Sequence, residues 1–110
     1  MNKDLDPEKA LNLEHTLRSE HECGVAAVGP KAEPQGSKQI QVTFTQPFAA
    51  PPCVVANALE AGQHDYPDSF VVTLAHVTAE GFTARIRRAD AQEQTWGQPL
   101  QISWIAAGNR

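Results

Sequence analysis

The sequence predicts an all-β fold, a six-stranded antiparallel β-sandwich preceded by a short N-terminal helical arm. Two observations carry that expectation. From Gly24 onward apolar residues recur with period 2, in short runs bounded by Gly, Pro, Asn and Asp. No helical pattern separates these runs, which excludes βαβ units and leaves antiparallel connections. At 110 residues the chain is one domain's length and can bury a single core without staples.

The arm, residues 1–23, reads as helix. Asp6 suits the N-cap, Pro7 the first helical position, and Glu8 the positive end of the helix dipole. Ala10, Leu13 and Leu17 fall on one face with Leu11 beside them, and His21 and Gly24 supply stop signals. A stripe this short is marginal alone, so it needs to pack on its own domain or on the same helix of neighbouring subunits. Residues 24–110 then form the β domain.

Its first short strand falls near 25–28 and is followed by a Gly- and Pro-rich loop. Ile40, Val42 and Phe44 alternate with Gln39, Gln41 and Thr43 until Pro47 ends the strand. Pro51 and Pro52 open the run Cys53–Leu59, where Cys53 reads as a small buried hydrophobe. Phe70, Val72, Leu74 and His76 share one face of the next strand. That strand is also apolar on its other face, through Val71, Ala75 and Val77, so one side suits the core and the other a subunit interface. Glu80 and Gly81 turn the chain into Phe82, Ala84 and Ile86, with Arg85 and Arg87 outward. Leu100, Ile102, Trp104 and Ala106 close the series, which makes Trp104 core.

Composition excludes several functions. Nine basic against thirteen acidic residues give a net charge of −4, which argues against nucleic acid as a partner. No apolar run is long enough to insert in a membrane. The N-terminus has no signal-peptide pattern, so cytoplasmic synthesis is expected, with release by a non-standard route or display on a surface or virion. Cys23 and Cys53 are too few for a disulfide framework and lack zinc-ligand spacing. Cys23 lies where arms of several subunits would converge, which allows an interchain disulfide in an oxidising space. No phosphate loop, GxSxG, HExxH or CxxC pattern is present, so the chain reads as a non-enzyme with no cofactor and no metal.

The order of residues resembles the H-type lectin domain family. IQVTFTQPFAAPPCVV is similar to that family's opening, HVTAEGFTARI to its Gly-Phe hairpin, and QISWIAAG to its closing strand. The resemblance spans roughly residues 24–108 and implies a six-stranded sandwich assembled as a homotrimer, or as a dimer of trimers, that binds glycans of the galactose or N-acetylgalactosamine type. It also implies a site at one end, built from the loop before the first long strand, an Arg ahead of the Gly-Phe hairpin, and an aromatic-His pair before the last strand. In this chain the Arg position falls on Ser69, beside Asp68, and the aromatic-His pair falls on Ala89 and Asp90. The first loop offers Lys31 and Glu33.

The candidate carbohydrate-binding residues are therefore Asp68, Ser69, Asp90, Trp96 and Glu33. Carboxylates accept hydrogen bonds from sugar hydroxyls, and an exposed indole covers the C–H face of a pyranose. On that reading Trp96→Ala removes binding with little effect on melting; the alternative for Trp96 is a loop anchor folded onto the sandwich edge. His64, Asp65, Tyr66 and Asp68 form either a polar rim or a solvated turn, and His76 a satisfied strand-end histidine. Arg85, Arg87 and Arg88 read as an exposed strand face or as a ring of positive charge around a trimer axis. The expected function is a multivalent lectin; the alternative is a structural or host-contact trimer, tail-fibre or adhesin-like, with no sugar site.

Overall fold

The computed structural model describes residues 20–60, 69–90 and 95–110. Six strands follow one another: β1 (Glu20–Ala27), β2 (Lys38–Thr43), β3 (Cys53–Leu59), β4 (Phe70–Ala75), β5 (Gly81–Arg88) and β6 (Gln101–Gly108). They form two three-stranded sheets, ordered β1-β6-β3 and β2-β5-β4, with every pairing antiparallel. The described residues contain no helix. The expected helical arm lies, through residue 19, outside the described residues.

β1 begins four residues ahead of Gly24, which is therefore not a helix stop but a mid-strand residue. Its place in the fold explains it. Gly24 stands opposite Trp104 on β6, and a Cβ there would come within 3.0 Å of the indole. Trp104 needs that space because it packs against Phe44 and Phe82 of the other sheet, at centroid distances of 5.8 and 5.6 Å. Phe48 completes the group, edge-on to Phe44 at 5.1 Å. The same faces carry Ile102, Ala106, Ala84 and Ile86, all fully buried. Small inward residues on β1 and β3 (Gly24, Ala26, Ala56, Ala58) thus lie against bulky ones on β6 and β5, the alternation a dense core requires.

Trp96 belongs to this core as well. It is 5% exposed, meets Phe70 edge-on at 5.0 Å, and donates its indole N–H to the carbonyl of Gly29 at 2.7 Å. The expectation of an exposed stacking platform is corrected: both the ring and its polar handle are used internally, so the loop-anchor alternative holds.

Three other expectations change for the same kind of reason. Cys53 is exposed, because Val54, Ala56 and Ala58 take the inward parity of β3. His76 lies beyond the end of β4, exposed, with φ of 51°, so it does not share the face of Phe70, Val72 and Leu74. β4 is also not where apolar surface is exposed. The exposed large hydrophobics among the described residues are Val25 (56%), Val55 (55%), Ile105 (43%) and Leu59 (40%), all on the outer face of the β1-β6-β3 sheet. At the end of β1 opposite its loop to β2, Glu22 accepts hydrogen bonds from the backbone N–H and hydroxyl of Thr45 and from Arg110, whose guanidinium also covers Phe48 at 4.2 Å. Burial pushes the Glu22 carboxyl up, but these donors outweigh it and hold it below its ordinary value.

Two substitutions test this packing. Gly81→Ala places a Cβ 2.1 Å from the Val42 carbonyl oxygen, a backbone collision, and is expected to cost about 1–3 kcal/mol or more in urea denaturation. Trp96→Ala is expected to destabilise by about 3–5 kcal/mol, a loss visible as a clear fall in melting temperature. An unchanged melt for either variant would contradict the packing described.

Candidate functional site

The topology gathers three loops at one end of the sandwich. Ala27, the last residue of β1, pairs with Gln101 at the start of β6, and Leu59 at the end of β3 pairs with the same residue. In the other sheet, Phe70 at the start of β4 pairs with Arg88 at the end of β5. The connections 28–37, 60–69 and 89–100 therefore leave the sheets on one side.

Two of these connections are laced together. Val28 and Gly29 both donate backbone N–H bonds to the carbonyl of Leu100 at 2.8 Å. Lys31 and Trp96 then form an isolated antiparallel bridge, with reciprocal N–H···O distances of 2.9 and 3.0 Å. The Lys31 ammonium turns inward to donate to the carbonyls of Glu33 and Gln35, which leaves this lysine buried but satisfied. Gly29 and Gly36, at φ of 74° and 76°, allow the loop to reverse within so few residues.

Ser69, the last residue of the third connection, is tied to the end of β5. Asp90 accepts from Arg88 Nε at 3.2 Å and Nη2 at 2.8 Å, and from the backbone N–H of Ser69 at 3.1 Å. Ser69 in turn accepts the N–H of Ala89 at 2.7 Å, and Arg88 Nη1 donates to the carbonyl of Thr95 at 3.0 Å. The Arg88 guanidinium and the Ser69 N–H together hold the Asp90 carboxyl well below its ordinary value of 3.8, at about 2. Asp90 remains exposed at the surface.

Of the residues expected at the site, Ser69 and Asp90 are hydrogen-bonded neighbours at the mouth of these loops. Trp96 supports the mouth from beneath through Gly29 and Lys31. Glu33 is exposed on the 28–37 loop, joined to the group through its backbone carbonyl and Lys31. Asp68, with His64, Asp65 and Tyr66, lies outside the described residues. Among the described residues no group of three or more His, Cys, Asp or Glu is placed to hold a metal ion.

Arg88 is the residue that sequence reading misplaced. Grouped with Arg85 and Arg87 it read as outward charge, yet it has the parity of Ala84 and Ile86, the inward residues of β5. Period-2 alternation alone separates it from the other two. Its register partner is Phe70, so a guanidinium stands one residue from Ser69 although position 69 itself has none.

The H-type lectin domain matches residues 39–107, well over half of the chain and the whole span from β2 to the inner part of β6. No curated protein and no solved structure matches. The chain belongs to the H-type lectin domain family.

Proposed function

We propose that this chain is a carbohydrate-binding lectin module whose saccharide site lies at the loop end, around Asp90, Ser69 and Arg88, with the 28–37 loop and Glu33 at the rim. The observation that carries the reading is the Arg88–Asp90–Ser69 clamp in a chain of this family. Asp90 is the acceptor for ligand hydroxyls, kept ionised by Arg88, and Arg88 supplies the charged donor beside position 69. Trp96 holds the loop rather than stacking on a ring. Asp68, which precedes Ser69 in sequence, is a further carboxylate for the same ligand. Galactose or N-acetylgalactosamine is the sugar class to test first.

Multivalency follows from the other sheet. The outer face of β1-β6-β3 carries Val25, Val55, Ile105 and Leu59 together with Cys23 and Cys53, and no Asp, Glu, Lys or Arg. Three strands about 4.8 Å apart and seven or eight residues long give a face on the order of 350 Å² in projection, where these side chains alternate with His21, Asn57, Gln101 and Ser103. Neighbouring copies in a homotrimer would cover it, and several weak sites acting together gain avidity of about 10²–10⁴.

Four measurements test this. On a glycan array the protein is expected to bind a defined set of sugars, and no binding at high concentration would favour a purely structural module. Asp90→Asn is expected to weaken binding about tenfold, the loss of one charge-assisted hydrogen bond. Because the Asp90 carboxyl is depressed, the clamp is complete above about pH 4 and is lost as pH falls through about 2, so binding should persist from neutral pH to about 4 and decline below it. Light scattering is expected to give three times the 11.9 kDa protomer, and Val55→Lys with Ile105→Lys to give a folded monomer. A parent protein that is monomeric at micromolar concentration would exclude the assembly.

A further inference from the structure

The outer face of the β2-β5-β4 sheet is unlike that of its partner. Its rows, read across the sheet, are Gln41, Thr83 and Ala75, then Gln39, Arg85 and Thr73, then Arg87 beside Val71. No carboxylate stands in these rows. Elsewhere among the described residues the cations are engaged: Lys31 and Lys38 on backbone carbonyls, Arg88 on Asp90, and Arg110 on Glu22. Arg85 and Arg87 have no such partner among the described residues, and Arg85 Nε is buried without an acceptor. A donor shielded from water and left unpaired carries a cost that an incoming acceptor relieves.

At the hairpin end of the same face lies a cavity of about 250 Å³, lined by Gln41, Thr43, His76, Thr78, Glu80 and Thr83 among others. It is open to solvent, lined by apolar as well as polar atoms (Val42 and Phe82 among them), and smaller than the ~300–1,000 Å³ of drug-sized sites, a volume suited to one sugar-like ring. Thr83 is 7% exposed despite its outward parity. His76 is the one non-glycine described residue with positive φ, and left-handed backbone at such a residue is held only where the surroundings enforce it. The β4–β5 turn provides that enforcement. The Thr78 N–H donates to the Gly81 carbonyl at 2.8 Å, and the Thr78 hydroxyl accepts from the N–H groups of Glu80 and Gly81.

Along β5, Arg85 lies about 7 Å and Arg87 about 14 Å from Thr83, at ~3.4 Å per residue. The strip therefore runs from a neutral-to-acidic cavity, where Glu80 disfavours an anion, to two unpaired guanidinium groups. We propose that this face is a second binding surface, taking an anionic oligosaccharide whose uncharged ring occupies the cavity and whose sulfate or carboxylate groups meet Arg85 and Arg87. The proposal takes its ligand class from the glycan reading and its geometry from a different face, whose cavity lies at the opposite end of the sheet from Asp90. Guanidinium groups suit both sulfate and carboxylate, which they grip with paired N–H donors. Two arginines in a chain of net charge −4 are too few for a nucleic-acid backbone, which such proteins meet with a broad basic surface.

The test is NMR and calorimetric titration of the full chain with a heparin-type sulfated tetrasaccharide, its desulfated but carboxylated counterpart, and a neutral galactoside. The sulfated probe is expected to shift the amides of Gln41, Thr83 and Arg85, and its affinity to fall with salt. Binding of the desulfated probe at the same amides would assign recognition to the carboxylates; loss of it would assign recognition to sulfate. Arg85→Gln with Arg87→Gln is expected to lower affinity for the anionic probe at least tenfold while leaving neutral-glycan binding and the melting temperature unchanged. Arg87→Gln alone, at an exposed position, keeps the test valid should the double variant fold poorly, and is expected to weaken binding several-fold. Anionic probe shifts confined to Ser69, Arg88 and Asp90, affinity unaffected by the arginine substitutions, or no binding of either anionic probe would overturn the proposal. Failure of the loop-end reading would appear instead as loss of the neutral galactoside alone.

Discussion

The fold depends on one contact between sheets, the Trp104 indole laid over Gly24 and pressed against Phe44 and Phe82. Each partner constrains another element. Gly24 fixes the register of β1 on β6, since only that residue leaves room for the ring. Phe82 fixes where β5 must start, so the turn before it is tight, and Gly81 is obliged to pass beside the Val42 carbonyl. Phe44 and Phe48 hold the crossing from β2 to β3, where the chain leaves one sheet for the other. A pair of three-stranded sheets has little area with which to bind itself together, and aromatic side chains concentrate that area in few residues.

With the inner faces committed to that core, the outer faces are free to differ, and they do. One exposes Val25, Val55, Ile105 and Leu59 and carries no Asp, Glu, Lys or Arg; the other is polar, with two guanidinium groups that have no partner among the described residues. Alternation permits this because each strand writes two independent patterns, one per face. The same sandwich can therefore assemble through one sheet while it displays the other.

At the loop end, order comes from backbone lacing rather than from regular strands. The Lys31–Trp96 bridge and the buried Trp96 ring make a firm base, and the Arg88–Asp90 pair ties Ser69 and Thr95 to each other beside it. A shallow site for a polar ligand needs such support, because acceptors that wander lose the orientation on which hydroxyl recognition depends.

Period and punctuation in the sequence were enough to determine an all-β chain, the places of the strands from β2 to β6, and the inward residues of β2, β5 and β6. Those features are local: alternation and turn residues record which side of a strand is apolar, and each strand reads its own record. The family was legible for the same reason, in the order of its strand and turn motifs. Tertiary structure decided what depends on partners distant in the chain. Gly24 is punctuation in one dimension and a space for Trp104 in three. Trp96 looks exposed among polar neighbours, yet Gly29 and Phe70, far away in sequence, enclose it. Cys53 is apolar enough for the core but has the wrong parity, and Arg88 is charged enough for the surface but points to Asp90. The nearness of Ser69 to the Arg88–Asp90 pair likewise arises only when β4 pairs with β5, because a hydrogen bond between loops is a property of the register and leaves no trace in either loop's composition.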